Sequence, residues 1–193
     1  MNRYHPFSCL LMVLATASCC FMIAAQETPA PPSEKEQTPP FKIIQKSPHG
    51  LPVVSLDVAG RSFLMEVAAT DDSRRKGCGG RTRLLPNEGM IFVHPDEQVR
   101  NYWMKDCLID LDVAFLDGKG RVVAIHRMKH EPPRRVGERD YDYKSRLRRY
   151  SSRRPARYAL EFKHGTIDQL KIRVGQTIPL PHDGLRSMVS GPG

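Results

Sequence analysis

Apolar positions between residues 53 and 180 fall into short runs separated by turn-forming residues, the rhythm of strands. Val54, Leu56 and Val58 share one face of a first run, and Phe63, Met65 and Val67 share a face of a second. Ala59-Gly60 between them predicts a hairpin. Ile91-Phe92-Val93, Leu111 to Leu116 and Val122 to Ile125 follow, the last two joined by the turn Asp117-Gly118-Lys119-Gly120. Ala156, Tyr158, Leu160 and Phe162 alternate with Arg157, Ala159 and Glu161, a half-buried strand, and Lys171 to Leu180 reads as a last one. Thr70 before Asp71-Asp72-Ser73 predicts a capped, short helix, and Thr166 to Leu170 one helical turn. The pattern predicts a mainly β (α+β) fold: one compact barrel- or sandwich-like domain of about seven strands with one or two short helices.

The ends differ in character. Met1 to Ala25 has Arg3, an apolar stretch from Cys9 to Ile23, and small residues before Gln26, and reads as an export signal cleaved after Ala25. Lipidation at Cys19 or Cys20, or a retained anchor, is the alternative and would be the only route to a membrane. Residues 26–48 hold six prolines among polar residues and predict an extended linker. Residues 49–181 make the folded domain, and 182–193 read as a flexible tail.

Charge changes the picture in one place. The chain carries 30 Lys and Arg against 21 acids, and eleven of those bases lie between Lys129 and Arg157 with four acids. Residues 129–154 read as an exposed basic loop. Its arginine pairs Arg134-Arg135, Arg148-Arg149 and Arg153-Arg154 suit an anionic envelope component held through counterion release. The competing reading is a solvated loop that only keeps the protein soluble. No specific nucleic-acid recognition is expected.

Several segments carry a resemblance. Glu66-Val67-Ala68, Arg74 with Gly77, Gly89-Met90-Ile91-Phe92, Trp103-Met104-Lys105-Asp106-Cys107, Leu111-Asp112 and Pro155 to Glu161 occur in the order of the EVA, R-x-x-G-L-M, GMLF, WMKNT, PLD and PARYVLE elements of the DUF192 (UPF0127) family, which the chain resembles over about residues 52–180. The resemblance implies a compact, mostly β domain, often exported, with no established biochemical activity. Cys78-Gly79 stands where the family has Leu-Met, Asp106-Cys107 where it has Asn-Thr, and Asp110 where it has Pro.

Cleavage would remove three of the five cysteines and leave Cys78 and Cys107, which in an oxidising compartment are expected to form a disulfide. Two separate buried thiols are the alternative. A polar pocket of Arg81, Trp103, Met104, Lys105, Asp112 and Glu161 is one reading of the remaining chemistry; groups that only satisfy one another in a closing sheet are the other. The histidines lack metal-site spacing, no nucleophile motif occurs, and no cofactor is expected.

Three functions follow: an exported, non-enzymatic module binding a small ligand or envelope partner near Trp103 and Asp112; an adaptor holding anionic surfaces through 129–157; and, last, a hydrolase using Asp112 and Glu161 as a carboxylate pair. Intact-mass measurement of the exported protein is expected to give a chain beginning at Gln26; one still carrying Met1 to Ala25 contradicts cleavage.

Overall fold

The computed structural model describes residues 41–189. The export segment 1–25, residues 26–40 of the predicted linker and residues 190–193 lie outside them.

Strands β1 (Ile43–Lys46), β2 (Pro52–Val58), β3 (Arg61–Ala68), β4 (Glu88–Tyr102), β5 (Leu111–Leu116), β6 (Val122–Met128) and β7 (Tyr150–Lys163) form one open mixed sheet. Their order is β1-β2-β3-β4-β7-β5-β6. Short helices α1 (Asp71–Lys76), α2 (Asp140–Arg146), α3 (Thr166–Gln169) and α4 (His182–Ser187) lie in the connections and at the C-terminal end. β3 and β4 pair in parallel, as a crossover through α1 requires, and the remaining named pairs are antiparallel.

Local chemistry explains the elements. The β2–β3 hairpin closes at Val58 and Arg61, with Ala59 at φ 51° and Gly60 at φ 80°, both in the left-handed region a primed two-residue turn demands. Thr70 caps α1: its hydroxyl accepts from the Ser73 amide, and the Ser73 hydroxyl accepts from the Thr70 amide.

Both faces of the sheet are covered. Leu56, Met65, Ile91 and Leu160 pack on one face beneath Ile167, Ile172, Ile178 and Leu185. Met90, Phe92, Val113 and Ala159 pack on the other beneath Cys78, Leu84, Met104 and Cys107. This double cover makes every residue of β5 buried, the pattern of an internal strand.

Four expectations change. Residues 171–180 form no strand: Gly175, at φ 93°, turns the segment, which lays Ile172, Ile178 and Leu180 across the first face and meets the start of β6 through the bridge Arg121 to Thr177 and the backbone bonds of Val122 to Gly175 and Gln176. The seventh strand is instead β1, inside the predicted linker, where Ile43 to Lys46 add an edge to β2. The tail begins with α4, whose Leu185 is fully buried, because an apolar anchor outweighs the polar residues around it. The basic stretch keeps its arginine pairs exposed but is not all loop: it holds α2 with Tyr143 buried, Arg146 ties it by bonds to Glu138 and the carbonyls of Pro132 and Pro133, and its last residues already belong to β7.

Holding alanine in the left-handed region costs about 1 kcal/mol, and asparagine tolerates it better. Ala59→Asn is therefore expected to raise stability by roughly 0.5–1 kcal/mol, read as a higher urea midpoint at unchanged m-value.

Candidate functional site

Glu161 sits in the middle of β7, paired with Met90 of β4 on one side and Val113 of β5 on the other. Its side chain points to the second face and is 5% exposed. A carboxyl there is withdrawn from bulk solvent and meets few donors, and its Oε2 has no hydrogen-bond partner among the described residues. Burial pushes the Glu161 carboxyl up to about 7, although a hydrogen bond from the Cys78 thiol and the charge of Arg81 pull the other way. A rise of that size means that folding the ionised form costs about 3 kcal/mol more than folding the neutral one.

Above Glu161 opens a cavity of about 410 Å³. Phe92, Tyr102 and Trp103 supply aromatic walls, and Cys78 and Cys107 line its inner part. Phe92 and Tyr102 meet edge to face at 5.1 Å, and the Tyr102 hydroxyl bonds His94 Nε2 at 3.0 Å. Burial, with the charges of Arg100 and Arg74, pushes His94 down to about 3, so this imidazole is neutral and holds the tyrosine. Gly77 ends α1 at φ 48°, where a Cβ would stand 3.3 Å from the Phe92 ring, so a glycine lets the helix end close on the wall. Arg74 donates to the Ala69 and Val93 carbonyls and fastens α1 to the sheet. At the mouth the Arg149 guanidinium lies 3.9 Å from the centre of the Trp103 ring.

Cys78 and Cys107 are both free, so the expected disulfide is not formed. Each is buried in the same apolar cluster, and packing there satisfies a thiol as a small apolar group. Burial and the Glu161 charge raise both thiols, Cys107 to about 12, which leaves neither a ready nucleophile.

Of the residues expected in a pocket, Trp103, Lys105 and Glu161 line this cavity. Met104 is buried in the cluster beneath. Arg81 grips Glu66 with two bonds, at 2.7 and 2.5 Å, and lines a neighbouring groove of about 310 Å³. Asp112 is elsewhere. It pairs with Phe162 and so points to the opposite face from Glu161, where its oxygens bond His164 Nδ1 at 2.9 Å and the Ile167 amide at 3.0 Å. A carboxylate pair of Asp112 and Glu161 therefore cannot act on one substrate.

Among the anion-binding candidates only Arg149 reaches the cavity; Arg134, Arg135, Arg153 and Arg154 are exposed outside it, and Arg148 stacks 5.1 Å from the Tyr150 ring. Sequence reasoning missed Phe92, Tyr102, Arg74 and Gly77 as site residues, although all four lie in or directly beside the segments that carry the family resemblance. Among the described residues no cluster of three or more His, Cys, Asp or Glu side chains is placed to hold a metal.

The family model DUF192, described as "Uncharacterized ACR, COG1430", matches residues 54–180, and the chain belongs to that family. A solved protein of unknown function from Novosphingobium aromaticivorans DSM 12444 is similar at 27% identity and a TM-score of 0.57, over 69% of this chain and 90% of its own. A second, from Sinorhizobium meliloti 1021 and provisionally named a transcription regulator, is 25% identical with a TM-score of 0.50, over 65% of this chain and 88% of its own. No curated protein matches the chain.

Because its folded-state value is raised, Glu161 makes the protein lose stability as pH rises from about 4.5, the ordinary value, through about 7. Glu161→Gln, which mimics the protonated acid, is expected to gain about 3 kcal/mol on the native protein between pH 4 and pH 8. Parallel urea titrations at the two pH values check it; a constant difference means that Glu161 is ordinary.

Proposed function

We propose that this member of the DUF192 family is an exported, non-enzymatic module that binds a small ligand in the cavity above Glu161. One observation carries the reading. Arg74 and Gly77, Phe92, Trp103 and Lys105, and Glu161 come from separate family-matching segments, and all line that cavity. The acid at its floor has a buried oxygen with no partner and lowers the stability of the fold when ionised, a cost that a purely structural residue would not carry. The raised thiols, and the two acids on opposite faces, support binding over turnover. Export rests on the segment Met1 to Ala25.

A second reading, an adaptor for anionic surfaces through 129–157, is supported by the exposure of Arg134, Arg135, Arg153 and Arg154. The stack of Arg149 on Trp103 favours the pocket, since it draws that segment to the cavity mouth.

Trp103 is the only tryptophan and stands in the cavity wall, so its emission reports occupancy. Native mass spectrometry of protein isolated from its own host is expected to show an adduct that is lost on denaturation. Adding the recovered adduct to stripped protein is expected to shift the Trp103 emission. A bare mass throughout contradicts the proposal.

A further inference from the structure

We propose that the ligand is a small amphoteric molecule whose amine meets Glu161 at the cavity floor and whose acidic group lies toward Lys76 and Arg149 at the mouth. Its apolar stretch runs along Phe92, Tyr102 and Trp103. This rests on the reading of the cavity as a binding site.

The floor asks for a donor. Around Glu161 stand the Cys78 and Cys107 thiols, the Tyr102 phenol and the Arg81 guanidinium. The phenol is engaged with His94, and Arg81 is held by Glu66. None supplies Oε2, which remains a buried acceptor. An acceptor left unpaired costs roughly 1–3 kcal/mol, so a ligand that donates there recovers that penalty. An amine does more than a hydroxyl: a hydrogen bond between charged partners is about twice as strong as a neutral one, and the ammonium supplies the counter-charge that burial denies the carboxylate.

The mouth asks for the opposite. Among the cavity-lining bases, Arg74 is paired with Asp71, Arg75 with Asp72 and Lys105 with Asp106. Lys76 and Arg149 have no carboxylate partner among the described residues, and Arg149 is fixed by its stack on Trp103 and a bond to the Lys144 carbonyl. A simple anion would meet the Glu161 charge at the floor, and a simple cation would meet these two bases at the entrance. A molecule with an amine at one end and an acid at the other satisfies both, and aromatic walls suit the methylenes between.

The test uses ω-aminoalkanoates from glycine through 8-aminooctanoate, read by Trp103 emission and calorimetry on the full exported protein. Each is compared with the alkanoate and the alkylamine of the same length. One chain length is expected to bind best, about tenfold or more tighter than either control, because only that length spans floor and mouth. Glu161→Gln is expected to lose that advantage over the alkanoate, and Lys76→Met the advantage over the alkylamine. Affinity of the best compound is expected to rise with pH through about 7 and then level, as Glu161 ionises to receive the amine. Equal binding by either control, or no dependence on length, overturns the proposal. If a host-derived adduct binds while every aminoalkanoate fails, the amphoteric class is wrong and the pocket stands. If neither binds, both fall.

Discussion

The desolvation of one carboxyl governs this structure. Glu161 occupies the centre of β7, which is itself internal to the sheet, and a charge there is tolerated only if something closes over it or meets it. Three connections do the closing. The crossover from β3 to β4 brings α1, Gly77 and Cys78 over the second face; the segment from β4 to β5 brings Trp103 to Cys107; and the stretch before β7 brings α2 and Arg149. Hydrogen bonds stitch them together. The Gly80 amide donates to the Asp106 carbonyl, and the Tyr143 hydroxyl of α2 both accepts from the Asp106 amide and donates to its carboxylate. The cover is thus tight around the acid, and it leaves one cavity directly above it.

The other buried acids show what a structural role looks like. Glu66 is matched oxygen for nitrogen by Arg81, and Asp112 by His164 and the Ile167 amide. Each arrangement satisfies both oxygens and locks a connection onto the sheet. Glu161 departs from that rule on the one face where a cavity of about 410 Å³ meets it. The contrast among three acids of one sheet separates a site from a scaffold more firmly than any motif does.

Local signals were legible in the sequence and long-range cover was not. The hairpin at Ala59-Gly60 and the Thr70 cap were readable because each depends on two to four adjacent residues. Alternation in Ala156 to Phe162 correctly set Glu161 against Tyr158, Leu160 and Phe162. It could not say that the polar-looking face is roofed, because most of the roof comes from α1 and residues 77–107, far away in the chain. Asp112 misled for the same reason. Its burial was evident from its apolar neighbours, yet its partners His164 and Ile167 are more than fifty residues on, as the separations of 52 and 55 show. Residues 171–180 have strand-like spacing because Ile172, Ile178 and Leu180 all reach one apolar face, a requirement an irregular chain meets equally well. The disulfide expectation came from cysteine count and an expected oxidising compartment, with no view of geometry, and two thiols in one apolar cluster answer that count without a bond.

Everything turns on the state of that carboxyl. The direct measurement is a carbon-13 NMR pH titration of the Glu161 side-chain carboxyl in the native protein, assigned by its loss in Glu161→Gln. A midpoint near 7 is the result this account predicts. A midpoint in the ordinary glutamate range of about 4.3 would mean that water or a protein donor already serves the acid, and would contradict the claim that Glu161 is held ready for a ligand.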